Sequence, residues 1–326
     1  MPNSSDLAFD FFAIGEALVD LISESIAESL EDAKAFRSFI GGQPTNLTMT
    51  MAQLGNRVAL AACLGEDGFG RHIQRQLDQA GVNTGFVQFT SQAPTTLVVN
   101  TRQTKTPDFA IYRGADSLLR PSQDQYLAAQ NSKIVHTSAF ALGREPARST
   151  ILQSLDAAHE NGNVVTLDPN YHPRNWPDVP DFTEILHEAF QFVDITKPSI
   201  EDCSRLIGPN RTLPEYAAAF LEWGARIVLI TQGSSGVFLA TADGDRYHVR
   251  ANPTPVVDVT GAGDAFWAGF LTACLEGADP LEAALLGQVV AEIKLKTLGP
   301  VKQLPERESL NQLAQNVQYS PVPVSK

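Results

Sequence analysis

The chain has few cysteines, no long apolar run and a deficit of positive charge, and each shortage removes a class of function. Cys63, Cys203 and Cys274 are the three cysteines among 326 residues, far apart and without CxxC spacing. That set suits a reducing compartment, supplies neither a disulfide framework nor a zinc site, and reads as three small core residues. No apolar run approaches the roughly 20 residues of a spanning helix. The opening Met1–Asp6 is polar, lacks a basic region and is followed by Asp10, Glu16 and Asp20. It is no signal peptide, and a cytoplasmic location is expected. Lys and Arg number 24 against 37 Asp and Glu, a formal net charge of −13. Nucleic acid and anionic membranes need a basic face, so neither is expected as a partner. An anionic nucleotide remains compatible, because a local pocket can oppose the global sign. There is no GxxxxGKS/T and no GxGxxG opening a helix after a strand, so P-loop kinases and dinucleotide oxidoreductases lose their main support. No HExxH or similar metal-ligand spacing occurs. The six histidines are scattered and read as structural.

What is present is ordinary globular composition, 43% hydrophobic and 19% charged, in a chain long enough to bury a sizeable core. Strands are expected at Phe9–Ile14, Val58–Leu64, Thr95–Thr101, Asp108–Arg113, Ile134–Thr137, Val164–Asp168, Phe192–Ile195, Ile227–Thr231, Val237–Ala240 and Tyr247–Arg250. Helices are expected at Asn46–Leu54, Gly70–Ala80, Ala147–Asn161, Pro214–Trp223, Ala265–Leu275 and Pro280–Lys296. From Lys133 onward strand and helix alternate, the signature of a mostly parallel sheet with helices on both faces. Thr95–Arg113 breaks the alternation as a hairpin around the polar loop Gln103–Pro107, either a decorative edge or a flap over a site. The proline-dense stretch from Pro169 to Pro180 contains Tyr171 and Trp176. It reads as an ordered loop at a strand's C-terminal end, where α/β sheets bind ligands, rather than a linker. The tail Ser320–Lys326 is expected to fray.

Two segments carry chemistry. In Asp258-Val259-Thr260-Gly261-Ala262-Gly263-Asp264-Ala265-Phe266, tiny residues precede a helical run. Backbone N–H groups and the helix dipole there make a natural anion hole for phosphate. Asp264, in the first turn, either caps the helix or acts as a base beside the phosphate. The plainer reading is a glycine-rich turn with an acidic cap. In Gly41-Gly42-Gln43-Pro44-Thr45-Asn46, the glycines allow close approach of a polyol and Asn46 can both donate to and accept from hydroxyls. Alternatively it is a plain turn with Asn46 as N-cap.

Together, GGQPTN with Gly55 and Gly65 downstream and DVTGAGDAF, roughly 200 residues apart, resemble the two signatures of the PfkB, or ribokinase-like, carbohydrate kinases. The resemblance runs over residues 7–318. It implies a three-layer α/β/α sandwich with a mostly parallel central sheet, one domain over 1–326, and a β lid from roughly 17–43 and 94–116 that often forms a homodimer interface. It implies ATP and Mg²⁺ as cofactors. Asp264 matches the catalytic base, and Gly261, Ala262 and Gly263 match the anion hole. Asp20, Gly41, Gly42 and Asn46 match sugar contacts, and Arg113, with Ala115 and Asp116, resembles the lid-end YRxxAD pattern near the substrate. Taken alone, Asp20 reads as a solvent-facing strand-end acid and Arg113 as a solvated surface arginine.

On the nucleotide side, Lys197, Ser199 and Asp202 resemble a segment usually ending Asn-x-x-Glu. Thr231, Gly233 and Gly236 match a TxGxxG loop, and Asp258 and Thr260 sit where relatives build a monovalent-cation site, so K⁺ is a further candidate. The loop from Asp168 resembles D-x-N-x-R-P-x-x-W, bringing Asn170 to the substrate and placing His172 at the arginine position, with Arg174 two residues on. In relatives acting on keto-sugar acids that arginine helps hold a carboxylate, whereas His172 binds an anion weakly unless protonated. The resemblance therefore implies ATP-dependent phosphorylation of a primary hydroxyl on a neutral sugar, with fructose first. The runner-up is 2-keto-3-deoxygluconate or 5-dehydro-2-deoxygluconate, and the reading from another class is a catalytically silent sugar-binding or partner-binding protein.

Asp264→Asn is expected to fold and bind sugar while turnover falls at least about 10²-fold, as loss of a general base does. Near-normal steady-state turnover by this variant removes Asp264 from the chemistry.

Overall fold

The segment Phe-Asp-Phe-Phe-Ala-Ile forms the first strand, β1 (Phe9–Ile14). Its Phe12 and Ile14 pack into one apolar cluster and its Phe11 and Ala13 into another, so it is a central strand covered on both faces. In the computed structural model the described residues are 9–102, 108–176, 182–299, 301 and 303–323. After β1 come β2 (Leu18–Ile26), β3 (Phe36–Gly41), α1 (Gln43–Gln53), β4 (Val58–Gly65), α2 (Gly68–Gln79), β5 (Asn83–Thr90), β6 (Leu97–Arg102) and β7 (Phe109–Tyr112). Next are α3 (Gln123–Gln130), β8 (Ser132–Ser138), α4 (Ala147–Glu160), β9 (Val164–Asp168), α5 (Phe182–Phe190), β10 (Ile195–Thr196), α6 (Ile200–Ile207), α7 (Leu213–Glu222) and β11 (Ile227–Thr231). The chain closes with β12 (Val237–Thr241), β13 (Arg246–Val249), α8 (Ala262–Leu275), α9 (Pro280–Leu295), α10 (Arg307–Ala314) and β14 (Tyr319–Pro321).

Ten strands make the main sheet in the order β14-β13-β12-β11-β10-β9-β8-β1-β4-β5. The pairs from β5 to β11 are parallel, whereas β11 to β14 are antiparallel. Helices α3 to α7 bury their apolar faces on one side, and α1, α2, α8, α9 and α10 on the other. This is the ribokinase-like α/β/α sandwich. A second sheet, β3-β2-β6-β7, lies apart from it as a small lid.

Several sequence expectations are corrected. The strand–helix alternation stops at β11, because β12 and β13 follow as antiparallel neighbours with no helix between them. The strand expected at Phe192–Ile195 is the two-residue β10 instead, since Phe192 and Val193 still close the turn that ends α5. The start of the expected frayed tail is held as an edge strand, with Ser320 opposite His248 of β13. Asn46 is not a helix N-cap; Gly42 holds that place and Asn46 lies inside α1. The hairpin loop 103–107, the residues Pro177 and Pro180, and Met1–Asp6 fall outside the described residues.

Helices α8 and α9 cross in close contact, because glycines face each other. A Cβ on Gly287 would sit 2.7 Å from the Phe266 carbonyl oxygen, and one on Gly269 would sit 2.9 Å from the Gly287 Cα. Helix α8 carries Asp264 near its start, so this packing sets the height of that side chain above the sheet. Gly287→Val is expected to cost roughly 1–3 kcal/mol, as overpacking does. Chemical denaturation measures the loss, and an unchanged midpoint would show that the helices can part without penalty.

Candidate active site

The parallel strands all point the same way, so their C-terminal ends deliver polar residues to one edge of the sheet. Glu16 follows β1, Asp168 ends β9, Lys197 follows β10 and Thr231 ends β11. All four line a single cleft of about 900 Å³, walled on the far side by Val98, Asn100, Phe109 and Ile111 of the small sheet. A volume of that order accommodates a nucleotide and a small second ligand together.

The N-terminus of α8 also lines this cleft. Gly261 adopts a left-handed conformation, φ 77°, which turns the chain into the helix. The Ala262 amide donates back to the Val259 carbonyl at 3.1 Å, so of the three expected anion-hole amides this one is already committed. Those of Gly261 and Gly263 have no protein acceptor among the described residues, and both glycines line the cleft. A cation adjoins them: a Cβ on Gly263 would lie 3.4 Å from the Lys197 ammonium. Lys197 is buried and paired with Asp168 at 2.9 Å. Burial pulls its pKa down, but the facing carboxylates of Asp168, Asp264 and Asp202 outweigh that and hold it above the ordinary value. Free amides, a helix dipole and a charged ammonium form an anion site.

Asp264 stands beside it and does not cap the helix. Its Oδ2 accepts from Asn46 Nδ2 at 3.0 Å, which leaves Oδ1 without a protein partner among the described residues. Burial, and then the charge of Asp168, raise its pKa to about 6. Asp20 lines the same cleft and accepts from Asn100 Nδ2 at 3.0 Å. Burial, helped by Asp264 and Asp258, raises Asp20 to about 7, so it is no solvent-facing acid. Gly41 is required under it, because a Cβ there would lie 2.0 Å from the Asp20 Oδ2. Glu16, buried beneath Gly42 and Gln43, is raised to about 8 by desolvation and accepts from Ser138 and the Gln43 amide. Gln43 is held in turn by the buried His136, 2.7 Å away.

The other expected residues divide. Asn170, His172, Ser199, Asp202, Thr231, Gly233 and Thr260 line the cleft with Gly42 and Asn46. Gly41, Arg113, Gly236, Asp258 and Ala262 do not. Arg113 is neither a surface arginine nor a group facing the cleft. Its guanidinium is buried, pairs with Asp116, stacks 4.1 Å over Phe140 and donates to the Phe140 carbonyl, bracing a ring that lines the cleft. Arg174 is spent on the lid, with Nη1 on Asp108 at 3.1 Å and on the Phe109 carbonyl at 3.0 Å. Asp202 is drawn into the capping box of α6 with Ser199, and its Oδ1 accepts from the Tyr171 amide. Asp258 pairs with the buried Lys294.

Sequence reasoning passed over Asp168, Asn100, Gln43, Glu16, Arg205 and Lys294, of which the first five line the cleft. Asp168 had a signal, being the last residue of a buried strand. Lys294 had one too, standing four residues after Val290 on the apolar face of α9. Asn100 and Gln43 had none, because a polar side chain mid-strand or at a helix start is ordinary.

The model of the pfkB family carbohydrate kinases matches residues 9–307. An ATP-dependent 6-phosphofructokinase from Thermoanaerobacterium thermosaccharolyticum is 30% identical over 94% of this chain and 94% of its own length. A fructokinase from Klebsiella pneumoniae is 29% identical over 92% of this chain and 97% of its own. The structure of Halothermothrix orenii fructokinase superposes with a TM-score of 0.74 at 32% identity, covering 86% of this chain and 96% of that one.

The raised pKa of Asp264 makes a prediction about stability. The folded state keeps its proton up to about pH 6 while the unfolded carboxyl loses it near 3.8, so this group costs stability as pH rises between those values. Asp264→Asn removes that cost. The variant is expected to be more stable than the parent at pH 8, with the gain disappearing as pH falls through 6 toward 4. Urea midpoints of the two proteins at pH 8 and pH 4 check it; an equal difference at both refutes the assignment.

Proposed function

Since the chain belongs to the pfkB family of carbohydrate kinases and is therefore an ATP-dependent phosphotransferase, we propose that it phosphorylates a primary hydroxyl of fructose with Asp264 as the general base. The observation that carries this reading is that two carboxylates, Asp264 held by Asn46 and Asp20 held by Asn100, line one cleft with the free amides of Gly261 and Gly263. A hydroxyl within hydrogen-bond reach of Asp264 Oδ1 stands next to the anion site, where the terminal phosphoryl of ATP would lie. The hydroxyl oxygen bonds to that phosphorus, the bond to the leaving ADP oxygen breaks, and Asp264 takes the proton. The amides of Gly261 and Gly263 and the Lys197 ammonium stabilise charge on the transferred group.

Magnesium fits the acid set. Asp168, Asp202 and Asp264 share one ammonium, and Asp202 is held above its ordinary pKa by burial and by Asp168, an excess of negative charge that a divalent cation relieves. Asp202 and Asp168 would hold the ion, which supplies neutralisation of the nucleotide phosphates. Among the described residues no three acidic, histidine or cysteine side chains converge as a closed cage, as suits an ion that arrives with its nucleotide.

The polyol end favours a neutral sugar over a sugar acid or sugar phosphate. Its polar groups are Asp20, Asn46, Asn100 and Gln43, set among Leu18, Val98, Ile111 and Phe109. Arg113 is committed to Asp116 and Arg174 to Asp108, while Arg205, which lines the cleft, donates to the Tyr171 carbonyl at 2.9 Å. Burial, and then the charges of Arg205 and Arg174, lower the pKa of His172.

An ADP-coupled assay over fructose, fructose 6-phosphate, 2-keto-3-deoxygluconate, ribose and adenosine tests the reading. Fructose is expected to give the highest kcat/KM, falling with acid through about pH 6 as Asp264 takes up a proton. A preference for fructose 6-phosphate or for the keto acid would replace fructose. Absence of any sugar-dependent ADP release would leave a silent binding protein.

A further inference from the structure

The face of α9 that packs inward is apolar, with Ala283, Leu286, Val289 and Val290 buried, yet its last turn carries Lys294 at 1% exposure. Burying an ammonium is costly unless oxygen atoms replace its water. Two oxygens of one residue offset part of that cost here, while burial still holds the Lys294 pKa below its ordinary value. Lys294 Nζ donates to the Asp258 carbonyl at 2.8 Å and lies 3.3 Å from Asp258 Oδ2. Asp258 is itself a junction: its Oδ1 accepts from the Thr260 amide at 3.0 Å and its Oδ2 from the Gly299 amide at 2.9 Å. Ammonium, carboxylate and two backbone amides therefore lock the turn that runs directly into Gly261. The lysine stem reaches that glycine, since a Cβ there would lie 3.9 Å from Lys294 Cε. The charge also acts on Asp264, which lies in its field.

We infer that Lys294 is the built-in cation of this site: its ammonium holds the carbonyl and carboxylate oxygens that a monovalent ion would otherwise bridge, and so fixes the Asp258–Gly261 turn and its phosphate-binding amides without K⁺. An ammonium carries the same charge as K⁺ and takes up similar space, but a tethered one needs no binding equilibrium. Lys294 is thus a positioning residue, acting through the backbone of Gly261 and Gly263 rather than on substrate. The inference rests on the kinase reading for its turnover assay, while its binding assay does not.

Lys294→Met and Lys294→Gln are compared with the parent protein in KCl, NH₄Cl or choline chloride at one ionic strength of about 0.1 M, so that screening is constant. Two quantities are read, sugar-dependent turnover and affinity for a non-hydrolysable ATP analogue. The parent is expected to be indifferent to the salt. The variants are expected to lose about tenfold or more in both quantities in choline, the size of loss when a group supporting a site's direct contacts is removed, and to recover in K⁺ or NH₄⁺. A merely structural lysine would lower thermal stability without creating this ion dependence. Activation of the parent by K⁺ of about tenfold, variants unaffected in choline, or folded variants that fail to answer K⁺ and NH₄⁺ each overturn the inference. If neither variant folds, the parent's response alone decides, a flat one supporting it. Should no sugar be turned over, the kinase reading fails separately, and the analogue affinities still decide the role of Lys294.

Discussion

The buried ammonium of Lys197 has to serve three buried or half-buried carboxylates, Asp168, Asp202 and Asp264, with Lys294 adding only a lesser pull on Asp264, and the character of the cleft follows from that shortage. The pair with Asp168 is close and nearly dry, so Lys197 stays charged. Asp264 and Asp202 receive less of the compensation and are pushed upward by desolvation. A floor with surplus negative charge beside two free amides is matched to a ligand that brings phosphate and a cation together. The same shortage leaves Asp264 more basic than an exposed aspartate, the property that accepting a hydroxyl proton requires.

The fold fixes the distance between these groups by packing rather than by loops. Helix α8 brings Asp264 down onto α9 through two facing glycines, and Asn46 of α1 meets it from the side. Below the turn that opens α8, Lys294 and Asp258 tie it to the end of α9. The Asp264 carboxylate and the free amides of Gly261 and Gly263 thus share one rigid support, which is how an anion and an alcohol could be kept in line.

The small sheet is anchored differently. The Asp67 carboxylate accepts from the Thr95 amide at 2.7 Å and its hydroxyl at 2.9 Å where the chain enters β6. Thr96, Asp116 and Arg113 form a second buried knot where the chain leaves β7. Between these fixed points, among the described residues, the sheet meets the loop after β9 through Arg174, which pairs with Asp108 and donates to the Phe109 carbonyl beside its ring, and through the Phe109–His172 ring contact. Exposed ion pairs are weak. Firm roots and a weak latch are what a cover that opens and closes over a ligand needs.

Periodicity and short motifs in the sequence determined β1, β4, β8, β9 and β11, the long helices, and the helix-borne Asp264 with its glycines, since strand alternation, helix period and glycine-rich turns are local properties. The lid strands β2 and β3 and the edge strand β14 were not legible locally, being mixed polar segments whose strand state comes from partners distant in sequence. Tertiary structure alone decided which charges are compensated. It turned Arg113 inward to Asp116, spent Ala262's amide on Val259, joined Lys294 to Asp258 across 36 positions and set Asp168 against Lys197. Burial and ion pairing depend on what lies opposite in space, and no local pattern records that.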